Sequence, residues 1–379
     1  YLNNIRTSNA YLDIKDNIYD ALRNTRYGDG VVTGVRRAKN SLKQLVIPGM
    51  WFEDMGITYL GPVDGHDVNG LVRVIREAKR RKNCVLIHVL TQKGKGYAPA
   101  EKHPARFHGA EPFDVATGVP VKKKTKANYT DIFSTVMVKL AARHPDVVAI
   151  TAAMPDGTGL KRFRKAYPER FFDVGIAEEH AVTFAAGLAV GGLHPVVAIY
   201  SSFLQRAYDE LWHDLCLNDA PATILVFGAS IFGTTSETHL SFFDISMLGG
   251  LPNMHYLAPA CMEEYLSMLS WSLDHREHPV AIRVPGIGLV SRPDLAPAEG
   301  TNYGAVRYNV VRQGRDVAVL ALGDFFELGE RVANRLAAEY GIEATLVNPR
   351  FATELDREFL DSLAAEHRVV VTLEDGILD

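Results

Sequence analysis

Two adjacent glutamates, Glu178 and Glu179, are the side chains of this sequence best suited to acid–base chemistry. They follow a short predicted strand at 171–175 and open a helix, predicted over 179–190, whose interior is almost entirely apolar. One interpretation is that both carboxylates stabilise the positive end of the helix dipole. However, a helix that is hydrophobic on nearly every face lies against a buried surface, where an ionised glutamate needs a specific partner. The pattern leaves a helix-stabilising and a catalytic role open.

Other candidate sites are weaker. Glycine clusters at 93–96 and 157–159 each follow a predicted strand, but Pro99 blocks a helix after the first, and Arg162 replaces the third glycine of a dinucleotide motif after the second. Glu178, Glu179 and His180 are too close in sequence for a zinc triad, since neighbouring helix residues point to different sides. The sequence therefore predicts neither a dinucleotide site nor a metal centre from these residues.

Composition narrows the class of protein further. The 379 residues are 47% hydrophobic, which is enough for two or three cores, and the net charge is only -4 without a block of five like charges. No nucleic-acid or membrane-surface partner is expected. Three cysteines without a C-x-x-C pair argue against a disulfide framework and a zinc site, and favour the cytoplasm. The longest apolar stretch, 181–200, holds three glycines, His194 and Pro195, which disfavours a membrane span.

Around these residues the chain alternates short β-branched runs with amphipathic stretches, which is typical of α/β domains with mostly parallel sheets in three layers. Besides 171–175, strands are predicted at 85–90, 147–151, 195–200, 223–227, 280–284, 317–322, 344–347 and 368–373. Besides 179–190, helices are predicted at 68–81, 130–142, 203–217, 262–273, 325–340 and 354–365.

Two changes in composition suggest domain boundaries. The lysine-rich, aperiodic segment 114–128 resembles a linker before a helix capped by Asn128 or Thr130, and 291–303 carries two prolines before the strand–helix pattern restarts. We therefore divide the chain near residues 126 and 302. Because it begins with Tyr1 and stops soon after an apolar run, we expect it to be part of a longer protein.

Several long blocks carry a resemblance to a known family. They are DVGIAEEHAVTFAAGLA at 173–189, PVVAIYSSFLQRAYDEL at 195–211, IPGMWFEDMGITYLGPVDGHD at 47–67 and KGKGYAPAEKHPARFHGAEPFD at 93–114, with YLNNIRT at 1–7 and TAAMPDGTGL at 151–160. These blocks closely resemble the thiamine-diphosphate-dependent transketolase superfamily, and within it the 1-deoxy-D-xylulose-5-phosphate synthases. The resemblance implies a transketolase-like fold: 1–126 as the C-terminal part of the thiamine-diphosphate/Mg-binding domain, 127–302 as the pyrimidine-binding domain, and 303–379 as part of the C-terminal domain.

The resemblance also implies roles for individual residues. Glu178 would contact N1′ of the aminopyrimidine of thiamine diphosphate, so that the ring's own N4′ removes the C2 proton of the thiazolium. Phe203 would stack on the pyrimidine. Further cofactor contacts would come from Lys93, Met154, Tyr200 and Arg206, and the catalytic histidines of the substrate cavity would be His108 and His239. The Mg²⁺ ligands are expected upstream of Tyr1, so no residue here is assigned to the metal.

The sequence departs from the family's pattern where the acceptor's phosphate is held. Gly228 and Thr235 replace an arginine and an aspartate of D-R-A-G-x-x-G-x-D-G-x-T-H, and Gly286 replaces the second arginine of R-Y-P-R-G-N. A glycine offers phosphate only a backbone N–H, where an arginine offers a bidentate guanidinium. Arg206 or Lys93 could compensate, so the identity of the acceptor is left open.

The resulting functional prediction is a cytoplasmic, homodimeric transferase of isoprenoid and thiamine biosynthesis, which converts pyruvate and D-glyceraldehyde 3-phosphate to 1-deoxy-D-xylulose 5-phosphate and CO₂. One alternative is a paralogue that uses a different or unphosphorylated aldehyde. Another is a non-catalytic half-subunit. Retention of Glu178, Phe203 and His239 favours an enzyme, because a scaffold needs no buried acid beside an aromatic clamp.

Overall fold

The computed structural model describes residues 50–121, 126–231, 238–286 and 288–377. The motif at 1–7 and Thr235 lie outside these residues. The chain divides into two compact units, Tyr1–Lys123 and Lys124–Asp379. In the part that is described, no helix combines the length and the apolar character needed to cross a membrane.

The first unit contains a two-stranded parallel sheet. Its elements are α1 (Met50–Asp54), β1 (Thr58–Asp64), α2 (Val68–Arg80), β2 (Val85–Leu90) and α3 (Ala98–Lys102). The crossover helix α2 is capped by Asp67, and its Val74 packs with Leu60 of β1. The predicted helix at 68–81 and strand at 85–90 are confirmed. Strand β1 was missed because Gly61 and Pro62 interrupt its apolar run.

A six-stranded sheet forms the centre of the second unit. Its strands are β3 (Val147–Thr151), β4 (Phe171–Asp173), β5 (His194–Tyr200), β6 (Thr223–Phe227), β7 (His255–Leu257) and β8 (Val280–Arg283). They are all parallel, in the order β4-β3-β5-β6-β8-β7. Strands β3, β6 and β8 are buried along their whole length, as continuous apolar runs in a covered parallel sheet require.

Helices cover both faces of this sheet and make it three layers thick. They are α4 (Tyr129–Arg143), α5 (Lys161–Ala166), α6 (Glu178–Val190), α7 (Asp244–Gly249) and α8 (Met262–Asp274). Alternate residues of the strands point to opposite faces of the sheet and pack in two separate hydrophobic cores. One core includes residues of α4 and α8, and the other includes residues of α6. Asn128 caps α4 and forms a capping box with Asp131, which decides between the two predicted caps.

The segment predicted as a helix at 203–217 is helical, but the predicted bounds and the predicted regularity are wrong. The chain turns helical at Ser201 and runs through Ser201–Leu204, Gln205–Ala207, Tyr208–Glu210 and Leu211–Cys216, with a 3₁₀ turn in the second piece and a π-helical turn in the last. Its buried residues Leu204, Ala207, Leu211 and Leu215 recur every three or four positions. That spacing predicts a helix but does not reveal the breaks in it.

A second sheet follows in the same unit. Strands β9 (Asn309–Arg312), β10 (Asp316–Ala321), β11 (Thr345–Asn348) and β12 (His367–Leu373) pair in the order β12-β10-β11-β9, and only β9 is antiparallel. Helices α9 (Phe326–Tyr340) and α10 (Arg357–Glu366) contribute to separate cores against this sheet. The predicted α/β class with mostly parallel, three-layered sheets is confirmed, whereas the short strands β7 and β9 were missed.

Buried polar contacts join the two sheets of the second unit. Glu264 of α8 is fully buried and accepts hydrogen bonds from Asn348 Nδ2 and Arg350 Nε, both at 2.8 Å. Arg283 at the end of β8 lies between Asp244 and Asp375. The two sheets are therefore packed closely, and the boundary near residue 302 stays a prediction.

Candidate active site

The predicted site residues of the second unit lie along one edge of the six-stranded sheet. Each follows the carboxyl end of a parallel strand: Met154 follows β3, Glu178 follows β4, Phe203 and Arg206 follow β5, and His239 follows β6. Ligands of parallel α/β sheets bind at this edge, because the loops there converge and side chains do not have to displace the core. We call it the carboxyl edge.

Glu178 is the buried acid of this edge. As the first residue of α6 it is only 2% exposed, whereas the adjacent Glu179 is exposed. Its Oε1 accepts a hydrogen bond from Arg206 Nη1 at 2.7 Å. Its Oε2 is buried and has no hydrogen-bond partner within the described chain. An unpartnered buried carboxylate oxygen is unfavourable, so this atom is free to bind a polar group of a ligand.

An aromatic cluster adjoins this acid. The Phe203 ring lies 6.2 Å from the Tyr200 ring and 5.3 Å from the His239 ring, both in edge-to-face arrangements. The Arg206 guanidinium lies 5.0 Å from the centre of the Phe203 ring. Arg206 therefore binds the carboxylate of Glu178 and also contacts the ring of Phe203. The resemblance implied that Arg206 contacts the cofactor and did not imply these two contacts.

Loops after β3 and β6 complete the near end of the edge. The Tyr200 hydroxyl donates to the Gly157 carbonyl at 3.3 Å, and burial raises the pKa of Tyr200. Met154 is half-buried against the same core as Phe203. His239 is exposed, and its Nδ1 lies 2.7 Å from the Thr238 hydroxyl. The structure thus brings Glu178, Phe203, Arg206 and His239 into one connected cluster.

Lys93 and His108 belong to the first unit. Both are exposed and lie on turns. The residues close to them in sequence, Tyr97 and Phe107, pack with Phe113 at ring distances of 5.0 to 5.9 Å. Their participation in a site with Glu178 stays a prediction.

The far end of the carboxyl edge, after β6 and β8, is built differently. Gly286 N donates to Asp324 Oδ2 at 3.1 Å, and the Ser230 side chain also hydrogen-bonds to Asp324. Burial and, to a smaller extent, the nearby Asp375 raise the pKa of Asp324 to about 6, against the opposing effects of Arg283 and of the hydrogen bonds from Gly286 and Ser230. Sequence reasoning missed Asp324, because this residue reaches the carboxyl edge from the distant segment Gly323–Phe325 before α9.

Metal-ligating side chains do not cluster in the described ranges. Across residues 50–121, 126–231, 238–286 and 288–377, no three His, Cys, Asp or Glu side chains are placed so that they could hold a metal ion.

Comparisons with known protein families match all three parts of the chain. The family model for 1-deoxy-D-xylulose-5-phosphate synthase matches residues 1–91. The model for the transketolase pyrimidine-binding domain matches residues 125–288, and the model for the transketolase C-terminal domain matches residues 307–379. The 1-deoxy-D-xylulose-5-phosphate synthases of Lachnoclostridium phytofermentans and Pelotomaculum thermopropionicum are 44% and 47% identical over 383 residues, which is 100% of this chain. The chain spans 60% and 59% of their lengths.

Solved structures show the same architecture. A split-gene transketolase described as an inactive beta4 tetramer is 29% identical, with a TM-score of 0.57 over 66% of this chain and 80% of its own. A transketolase mutant from Pichia stipitis is 17% identical, with a TM-score of 0.55 over 73% of this chain and 44% of its own, and this likeness supports the fold alone. The transketolase-like fold predicted from the sequence is confirmed.

Proposed function

Since the chain belongs to the 1-deoxy-D-xylulose-5-phosphate synthase family of thiamine-diphosphate-dependent enzymes, we propose that its full-length protein is a carboligase. It would break the bond between C1 and C2 of pyruvate, release C1 as CO₂, and join the remaining two-carbon unit to the carbonyl carbon of an aldehyde. In the reaction implied for this family, the aldehyde is D-glyceraldehyde 3-phosphate and the product is 1-deoxy-D-xylulose 5-phosphate.

The observation that carries the proposal is the unpartnered Oε2 of Glu178. A buried carboxylate with one oxygen fixed by Arg206 and the other free fits a ring nitrogen of an aminopyrimidine, and the Phe203 face beside it fits the flat ring. The donor set therefore fits thiamine diphosphate. When bound, this cofactor supplies the acidic thiazolium carbon that attacks the ketone of pyruvate.

The residues of the chain have separate tasks in this proposal. Glu178 holds or releases a proton at Oε2, and Arg206 fixes the carboxylate by binding Oε1. Phe203 and Tyr200 present an apolar surface that keeps water from the pyrimidine. His239, on the edge of the Phe203 ring, is placed to exchange a proton with the substrate. The roles that the resemblance implies for His108 and Lys93 are part of the proposal.

Mg²⁺, a homodimer and a cytoplasmic location are further parts of the proposal. They are supported by the resemblance and by the cysteine content, and we assign no Mg²⁺ ligand to the residues that the structure describes. The domain assignments 1–126, 127–302 and 303–379 are likewise proposed, with support from the bounds of the three matching family models.

Release of CO₂ from pyruvate by the full-length protein tests the function. We expect release to require thiamine diphosphate, to be lost in Glu178→Gln and to persist in the matched control Glu179→Gln. Cofactor binding without any CO₂ release, in the presence or absence of an aldehyde, would contradict the enzyme and favour the non-catalytic half-subunit.

A second candidate differs only in the acceptor. Gly228 and Gly286 leave the far end of the carboxyl edge without the two guanidinium groups that the family uses for phosphate. This observation favours a paralogue that joins the same two-carbon unit to an unphosphorylated aldehyde.

A further inference from the structure

A carboxylate closes the far end of the carboxyl edge. Asp324 lies in the turn Gly323–Phe325 before α9, and its side chain bonds to the loops after both β6 and β8, through Ser230 and Gly286 N. The near end of the edge is filled by Glu178, Arg206 and Phe203. An acceptor that reacts near His239, which itself follows β6, and that extends along the carboxyl edge toward β8 would meet Asp324.

Positive charge is absent from the sequence of the segments that follow β6 and β8. The sequence has no lysine or arginine between Arg206 and Arg276, nor between Arg283 and Arg292. Arg283 itself is 4% exposed, and its guanidinium is bound by Asp244 and Asp375. It is thus neutralised and shielded from a ligand, whereas the carboxylate of Asp324 bonds to the loops after β6 and β8.

A cavity of about 670 Å³ opens beside Asp324, with Gly288, Leu289 and Phe325 in its lining. Its volume is within the range of roughly 300 to 1,000 Å³ found for small-molecule sites. Lys126, Glu327 and Arg331 also line it, but all three are exposed to solvent, where water and salt screen their charges. The half-buried Asp324, in contrast, is bonded directly to the loop that follows β8.

On the basis of the proposed carboligase function, we propose that Asp324 is a specificity-determining residue, which selects aldehydes carrying hydroxyl or ammonium groups at the far end and rejects phosphorylated ones. A carboxylate accepts hydrogen bonds from hydroxyl and ammonium groups, whereas it repels a phosphate. The raised pKa of Asp324, about 6, leaves it ionised at pH 8 and largely neutral at pH 5. Discrimination against phosphate is therefore stronger at the higher pH.

The test compares D-glyceraldehyde with D-glyceraldehyde 3-phosphate as acceptors for the full-length protein at pH 8. We expect kcat/KM to favour D-glyceraldehyde by about tenfold or more, since placing like charges side by side is strongly unfavourable. Asp324→Asn should raise relative kcat/KM for the phosphorylated aldehyde by about tenfold. The control Asp361→Asn, on exposed helix α10, should leave the ratio unchanged.

Gly286→Arg provides a second variant that does not depend on the folding of Asp324→Asn. The backbone N–H of Gly286 bonds to Asp324, so an arginine at this position would carry its guanidinium within reach of that carboxylate. It should shift the preference toward the phosphorylated aldehyde. Lys126→Met and Arg331→Met should not change it.

CO₂ release from pyruvate, measured without an aldehyde and with each of the two aldehydes, separates the two proposals. If it is absent under all three conditions, the carboligase function fails and the inference about Asp324 fails with it. If CO₂ release is normal but the phosphorylated aldehyde is preferred and Asp324→Asn changes nothing, the inference alone is wrong. A preference for phosphate that is lost in Lys126→Met or Arg331→Met would also overturn it, by showing that the cavity is a phosphate subsite.

Discussion

The two ends of the carboxyl edge differ in what they offer a ligand. The near end has a buried acid with a free oxygen, a guanidinium that fixes it and an aromatic face, contributed by the segments that follow β4 and β5. The far end has Gly228 and Gly286, where the resemblance to the family implies arginines, together with the carboxylate of Asp324. Because the two groups of residues follow different strands, the acceptor half of such a site can change while the cofactor half is kept.

Glu178→Gln should have the largest effect and is the sharpest test of the near end. In the full-length protein we expect exchange of the C2 proton of bound thiamine diphosphate to slow by about two to four orders of magnitude. Glutamine keeps the size of the side chain but cannot take up or give a proton at Oε2. Deuterium exchange at C2, followed by NMR, measures the rate.

Glu179→Gln is the matched control, because this carboxylate is adjacent in sequence but exposed. Its effect should stay within about twofold, as is usual for surface substitutions. Equal losses in the two variants would mean that helix stabilisation, rather than a specific contact of Glu178, explains the acidic pair.

The next largest effect is expected for the binding of thiamine diphosphate to the isolated 379-residue chain. We expect binding to be at least about tenfold weaker than in the full-length protein and independent of Mg²⁺, since contacts to the diphosphate and metal are worth more than this factor and none is assigned to the described residues. Isothermal titration calorimetry with and without Mg²⁺ is the measurement. Tight, Mg²⁺-dependent binding by the chain alone would show that it contains the metal site.

Local patterns predicted much of the fold and the near end. The strands at 85–90, 147–151 and 223–227 match the structure because each is a short apolar run rich in β-branched residues, and the last two are buried along their whole length. The burial of an acid at the start of α6 could be inferred because the helix behind it is apolar on nearly every face. In both cases the signal lies within a few consecutive residues.

Contacts between distant segments left no such signal. Glu264 meets Arg350 from 86 positions away, and Arg283 meets Asp375 from 92 positions away. Asp324 reaches Gly286 across 38 positions, and a single aspartate before a helix otherwise suggests only a cap. The composition of the far end was therefore visible in the sequence as two missing arginines, but the acid that lies there was not.

Two glycines of the far end should respond differently to an added side chain. Gly228 has φ near +66°, a left-handed conformation that is unfavourable for other residues, whereas Gly288 lacks such a φ and has open space where a Cβ would lie. Gly228→Ala should therefore lower the free energy of unfolding by about 1 to 2 kcal/mol, and Gly288→Ala should lower it much less. Urea denaturation of both variants measures this difference, and equal losses would argue against backbone strain at Gly228.

The smallest expected effect concerns stability and the charge of Asp324. Its pKa is raised from an ordinary value of 3.8 to about 6, mainly by burial, so the folded state favours the protonated carboxyl. The stability that protonation provides is fully present below pH 4 and is lost as the pH rises through 6. Asp375 and Arg283 face this group, and Lys126, Glu327 and Arg331 line the adjoining cavity.

Asp324→Asn should accordingly stabilise the full-length protein at pH 8 by about 1 kcal/mol and have little effect at pH 4.5. Two units of pKa shift set an upper limit of about 3 kcal/mol, from which the weaker hydrogen bonds of a neutral amide to Gly286 N and Ser230 must be subtracted. Urea denaturation at both pH values, with Asp361→Asn as the control, measures the gain. If Asp324→Asn is destabilising at pH 8, the carboxylate is stabilised by its partners more than it is penalised by burial. The far end would then be built to hold an ionised acid, which strengthens the case for its recognising hydroxyl or ammonium groups.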